Sequence, residues 1–209
     1  PLLARALSID RKTLSPEHPD IATDLSNLAM VYSCQKRYVE AEPLLYAVLA
    51  IDEKISGEDS PSVVNDLRAL IAAYEAQGKY AETELFHRRI IATLSRTIGT
   101  AHPDFAAALN ALASSYRAQK MYAESEELLR KAIGIAEAAL GPDSVLIATY
   151  LNNLAASYSY QGKYADAEPL LQRAVVIDEK ALGTNHVATL TDLNNLITVY
   201  TLQGIHRYQ

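Results

Sequence analysis

The sequence predicts an all-α solenoid, a row of antiparallel helix pairs with about ten helices in 209 residues. Three observations carry this. Tyr32, Tyr74, Tyr116, Tyr158 and Tyr200 stand 42 residues apart. Leu25, Leu67, Leu109, Leu151 and Leu193 keep the same step, and so do Gly57, Gly99, Gly141 and Gly183. Within a period the apolar residues recur at helical spacing, as in Leu25, Leu28, Ala29 and Tyr32 at i, i+3, i+4 and i+7. A fixed period of this size without insertions marks stacked units that each touch only their neighbours.

The chain opens on a half repeat, residues 1–15, because Pro1-Leu2-Leu3 matches Pro43-Leu44-Leu45 and Pro169-Leu170-Leu171 at the start of a second helix. Full repeats follow at 16–57, 58–99, 100–141 and 142–183, and a half repeat closes the chain at 184–209, with a first helix at about 187–203 and then a tail. The whole reads as one repeat domain, expected to be a piece of a longer array. Leu2, Leu3, Leu7 and Ile9 are then expected to lack part of their cover. Pro19, Pro61 and Pro103 suit the first position of a first helix, where a missing N–H costs nothing. Ser60 and Ser144 suit its N-cap. The first helix stops near Gln35, and Gly78, Gly162 and Gly204 offer the left-handed residue beyond its end. Each second helix runs from the aligned tyrosine, such as Tyr38 or Tyr164, to the aligned glycine. Glu40, Glu42, Glu124, Glu126 and Asp166 crowd its start and Arg88, Arg130 and Lys180 come later, which matches the helix dipole. Pro43 and Pro169 shift the expected start to about residues 40 and 166, or kink the helix, since an interior proline costs about 3 kcal/mol.

Composition narrows the function. A net charge of −6 argues against a nucleic-acid partner, which wants a basic stripe. No apolar run nears the roughly 20 residues that span a bilayer, so no membrane partner is expected. Cys34 is the single cysteine, which excludes a disulfide framework, fits a reducing compartment such as the cytoplasm, and reads as a small filler. His18, His102 and His186 lie 84 residues apart in loops, too far separated to share a metal ion. No metal site, cofactor site or catalytic residue is expected, because no nucleophile-and-base motif or phosphate loop occurs. The chain does not read as an enzyme.

The repeat resembles the tetratricopeptide repeat. Leu151, Leu154-Ala155 and Tyr158 fit that family's first-helix signature, and Ala167, Leu171 and Ala174 its second. The family's usual period is about 34; the longer period here is similar to that of kinesin light chains. The resemblance covers essentially the whole chain and implies a right-handed superhelix whose first helices line a concave face, working as a protein–protein interaction scaffold for a peptide or partner segment. Arg68-Ala69 in place of an Asn pair, His87 in place of a leucine, and Gly134 in mid-helix depart from the pattern.

With one stripe committed to packing, the opposite side of each first helix carries the candidate peptide-binding residues: Asn65 and Arg68, Asn110 and Arg117, Asn152, Asn153 and Tyr160, then Asn194 and Asn195. Asparagine offers a donor and an acceptor and so grips a peptide backbone. Arginine takes a carboxylate in bidentate fashion, and tyrosine is a rigid anchor. The competing reading has the asparagines bonded to backbone or to each other between adjacent helices. Two further roles stay open: a structural array that self-associates head to tail through uncapped ends, and the sensor region of a larger multidomain signalling protein.

Overall fold

The computed structural model describes residues 2–207, with side chains described as far as Gly204. Pro1, Tyr208 and Gln209, which fall in the opening half repeat and the tail, lie outside the described residues, as do the side chains of residues 205–207. Among the described residues there are ten α-helices and no strand: α1 (Leu2–Thr13), α2 (Pro19–Cys34), α3 (Tyr38–Ser56), α4 (Pro61–Glu75), α5 (Glu84–Thr97), α6 (Pro103–Ala118), α7 (Tyr122–Leu140), α8 (Val145–Tyr160), α9 (Tyr164–Leu182) and α10 (Val187–Arg207). The even-numbered helices are the first helices of the repeats.

The chain forms two compact units, residues 1–93 and 94–209. In the first, α1, α2, α3 and α4 each pack on the next; in the second, α6 to α10 do the same, and the first helices also meet directly, α6 with α8 and α8 with α10. The core follows the apolar stripes. Leu7, Ile21, Ala22, Leu25, Val48 and Ile51 join α1, α2 and α3 in the first unit. Leu109, Leu112, Leu151, Leu154, Leu171 and Ala174 are buried in the second. Leu7 is covered by these neighbours, contrary to expectation, whereas Leu2 and Ile9 are exposed.

Each first helix of the full repeats ends in one kind of turn. The residue after the turn donates its N–H five residues back to the aligned tyrosine carbonyl: Arg37 to Tyr32 at 2.8 Å, Lys79 to Tyr74 at 3.0 Å, Met121 to Tyr116 at 2.9 Å and Lys163 to Tyr158 at 3.0 Å. That closure needs a left-handed residue just before the donor. Gly78 and Gly162 supply it, and so do Lys36 (φ 59°) and Lys120 (φ 64°), where a side chain pays a steric penalty. Gly204 does not: α10 continues through it to Arg207 without a positive φ. Glycine permits the left-handed form but does not compel it.

The starts of the first helices also differ from expectation. Ser60 caps α4, accepting from the Val63 N–H at 3.4 Å, but Ser144 makes no side-chain cap on α8. The same register position holds His18, His102 and His186, and these do cap: each Nδ1 accepts the N–H two residues on, from Asp20, Asp104 and Ala188 at 3.1–3.2 Å. The histidines that sequence left without a role are helix caps.

The second helices α3 and α9 begin at Tyr38 and Tyr164, not at 40 and 166, and hold Pro43 and Pro169 inside. The first turn's N–H groups are unpaired in any helix, so a proline just beyond it removes a single bond. The second helix of the 58–99 repeat starts differently, with a 3-10 turn at Ala81–Thr83 before α5. There the buried Thr83 hydroxyl bonds the Tyr80 carbonyl at 2.8 Å, where other repeats carry Ala or Ser. The aligned glutamates reach the end of the following first helix: Glu42 accepts from Gln77 at 2.6 Å and Lys79 at 3.2 Å, and Glu168 from Gln203 at 3.1 Å.

Lys120→Gly is expected to raise unfolding stability by about 1 kcal/mol in urea titration, by relieving the left-handed side chain. His102→Ala is expected to lower it by about 1 kcal/mol, and His102→Ser to restore most of that loss.

Candidate functional site

In the second unit the amides of successive first helices interlock. Asn153 Nδ2 on α8 donates to Asn110 Oδ1 on α6 at 2.8 Å, and Asn195 Nδ2 on α10 donates to Asn152 Oδ1 on α8 at 3.1 Å. The step is the same each time, from the second asparagine of one repeat to the first of the repeat before it. Asn152 Nδ2 also donates to the Ala148 carbonyl at 3.1 Å and to Asp192 Oδ1. Arg117 on α6 is half-buried and turned toward α8, where its Nη1 donates to Asn153 Oδ1 at 3.0 Å and to the Asn153 carbonyl at 3.2 Å. Asn194 stands exposed.

These side chains therefore tie α6, α8 and α10 together, yet they leave the face open. A cavity of about 460 Å³ lies along α8 and α10, edged by Asn152, Asn195, Tyr160, Thr198 and Leu202 and floored by Leu171 of α9. A second, of about 380 Å³, adjoins it and is lined by Arg117, Asn152, Asn153, Tyr160, Asp178 and Asp192 among others. Tyr160 is 69% exposed, borders both, and stacks on Tyr122 with ring centres 6.0 Å apart and planes 10° apart.

In the first unit Asn65 and Arg68 stand exposed on α4. They do not edge the cavity of about 530 Å³ between α2, α3 and α4, whose walls include Met30, Tyr38, Leu45, Ala69, Ala72 and Ala73. Cys34 borders this cavity and is exposed, so it is not the packed filler that sequence suggested. The two units thus carry different surfaces on their first helices, amide-rich in one and apolar in the other.

One set of residues escaped the sequence reading. Asp10, Asp52 and Asp178 share a register position on the second helices; Asp24, Asp66 and Asp192 share one on the first helices that follow. The spacing was visible, since each pair is 14 residues apart and the pairs lie at multiples of 42. Elsewhere the same positions hold Leu94 with Ala108 and Ala136 with Tyr150. Burial, then the facing Asp52 and the nearby Glu53, hold the Asp66 carboxyl up at about 7. Burial lifts Asp192 to about 6, with the Asn152 hydrogen bond working against it and the Asp178 charge adding to it. Burial and then Asp10 raise Asp24. Asp24, Asp66, Asp178 and Asp192 each keep one buried oxygen without a hydrogen-bond partner.

A family model described as tetratricopeptide repeat matches residues 1–54, 24–96, 104–180 and 147–207. Among solved structures, the chain is similar to a Podosopora anserina protein with nearly identical TPR-like repeats, described as a kinesin light chain: 27% identity over 91% of this chain and 90% of that one, TM-score 0.73. BtubC (BKLC) from P. vanneervenii shares the fold at 18% identity, TM-score 0.77, over 97% and 82% of the two chains. The apo form of RapI shares it at 13% identity, TM-score 0.64, over 88% and 70%. No curated protein matches the sequence. Among the described residues no helix is long and apolar enough to cross a membrane.

The carboxyl pair on α3 and α4 sets a pH dependence. Asp66 has a folded value near 7, above the roughly 3.9 of an unfolded aspartate. Its contribution is therefore fully present at low pH and lost as pH rises through about 7. Asp66→Asn removes that titration. Its melting temperature is expected to exceed the unsubstituted chain's at about pH 8, with the gap shrinking toward about pH 5, as calorimetry at each pH would read.

Proposed function

We propose that this chain, which belongs to the tetratricopeptide repeat family, is an interaction scaffold without a catalytic role that binds an extended peptide segment along α8 and α10. The carrying observation is the pair of adjoining cavities on that face, about 460 and 380 Å³, edged by Asn152, Asn195 and Tyr160. An extended peptide presents alternating N–H and C=O groups. Asn153 and Asn195 each keep an amide hydrogen beyond their bond to the neighbouring repeat, and amide oxygens keep second lone pairs. Tyr160, held rigid by Tyr122, adds apolar area beside them. The tetratricopeptide fold is typically a protein-binding scaffold, and the likeness to a protein described as a kinesin light chain favours a peptide partner of the cargo or adaptor kind.

The test is a peptide-array screen with the purified chain. Tyr160→Ala and Asn194→Ala, both at exposed positions, are expected to weaken the selected peptides by about tenfold or more when combined, with little change in melting temperature. Val176→Ser, at an exposed site on α9, is expected to leave affinity unchanged. Loss of binding through Val176→Ser with none through Tyr160→Ala would move the site off the first helices.

A further inference from the structure

The smaller cavity of the second unit has an unusual floor. Asp178 of α9 and Asp192 of α10 both line it, and they are only 5% and 2% exposed. Asp178 Oδ1 and Asp192 Oδ2 have no hydrogen-bond partner. A buried carboxylate oxygen left in that state is costly, so something has to satisfy it.

The equivalent pairs in the first unit show one solution. There burial and the facing Asp10 raise Asp24 toward its protonated form, and burial and the facing Asp52 do the same for Asp66. Burial raises Asp192 as well, with the Asn152 hydrogen bond opposing and the Asp178 charge adding to it. What sets this third pair apart is that both of its residues line a cavity.

Most of the cations and donors around it have other partners. Lys180 pairs with Asp143 and Arg173 with Glu137. His186, whose charge would favour an ionised Asp178, uses Nδ1 to cap α10. Arg117, at the α6 side of the same cavity, is tied to Asn153. Asn152 commits both amide hydrogens, to Ala148 and Asp192. The hydroxyl hydrogens of Thr149 and Thr191, also in the lining, go to the Val145 and Val187 carbonyls. The spare donors of the lining, on Asn153, Asn195 and Arg117, do not reach Asp178 Oδ1 or Asp192 Oδ2, so the lone pairs of those two oxygens stay unmatched. Among the described residues no group of three His, Cys, Asp or Glu stands ready to hold a metal ion, and two carboxylates fall short of the roughly six oxygen ligands that calcium takes. A lysine ammonium or arginine guanidinium carries N–H donors and no acceptor, which is the complement of such a wall.

We propose that this cavity receives the cationic head of a lysine or arginine side chain from the bound partner segment, with Asp178 and Asp192 as its counter-ions. The inference rests on the peptide-binding reading above and names the partner's chemistry at one position.

A random-peptide library displayed on phage and selected on the whole chain tests it. Selected peptides should carry lysine or arginine at one fixed position. Replacing a selected lysine by norleucine should weaken binding about tenfold or more, and Asp192→Asn should abolish that discrimination. Affinity for the lysine peptide should also fall as pH drops through about 6, where Asp192 takes up its own proton. Peptides that bind the first-helix face with no basic position, or with norleucine as tightly as lysine, overturn the inference and leave the scaffold reading standing. Failure to select any peptide on that face overturns both. Should Asp192→Asn fail to fold, the norleucine comparison on the unsubstituted chain and Asp178→Asn decide the matter.

Discussion

A two-helix unit with one apolar stripe per helix cannot bury both stripes within itself, and the rest of the structure follows from that. Leu151, Leu154 and Ala155 of α8 and Leu171 and Ala174 of α9 are buried where these helices pack on each other and on α7 and α10. Seams within a repeat, such as α8 on α9, therefore alternate with seams between repeats, such as α7 on α8 and α9 on α10, and the constant 42-residue step repeats the pattern. Local geometry has to repeat with it. The left-handed turn after the first helix is an instance: it forms with lysine at positions 36 and 120 as it does with Gly78 and Gly162, because the backbone bond to the aligned tyrosine carbonyl holds it.

Polar residues placed on such seams take on two duties. Asn152 and Asn153 lie where neighbouring first helices approach, and they bond across the gap, but each still edges a cavity. Structural bonding and ligand contact are not alternatives for an amide in that position, since one group carries two donors and an acceptor with two lone pairs. The carboxyl pairs lie on the seam between a second helix and the first helix after it. In the first unit burial and the facing carboxyl raise Asp24 and Asp66 toward the protonated form; in the second, the pair lines a cavity with one unpartnered oxygen on each residue. The apolar substitutes at the same register, Leu94 with Ala108, show that the fold itself does not require charge there.

Caps illustrate how far pattern reading reaches. Ser60 was recognisable as a cap by residue type, and the register position it occupies extends to His18, His102 and His186, whose imidazoles do the same work. Histidine is an uncommon cap, so type alone did not suggest it, and Ser144, of the right type, makes no side-chain cap. Proline misled in the same manner: Pro43 and Pro169 are tolerated inside α3 and α9 because they fall just past the first turn.

The sequence by itself determined the class of fold, the number and order of the helices, the apolar columns and the side of each first helix left for polar residues. Those are consequences of periodicity, and periodicity is written in one dimension. Only the tertiary structure decided which polar atoms are already satisfied. Arg117 looked free to clamp a carboxylate until α8 was seen to hold it through Asn153, and the aspartate columns drew no notice in the sequence, whereas the fold buries Asp178 and Asp192 with an unpaired oxygen on each beside a cavity. The reason is physical: a hydrogen bond depends on distances of a few tenths of an ångström between residues some 40 positions apart, and no spacing along the chain records them.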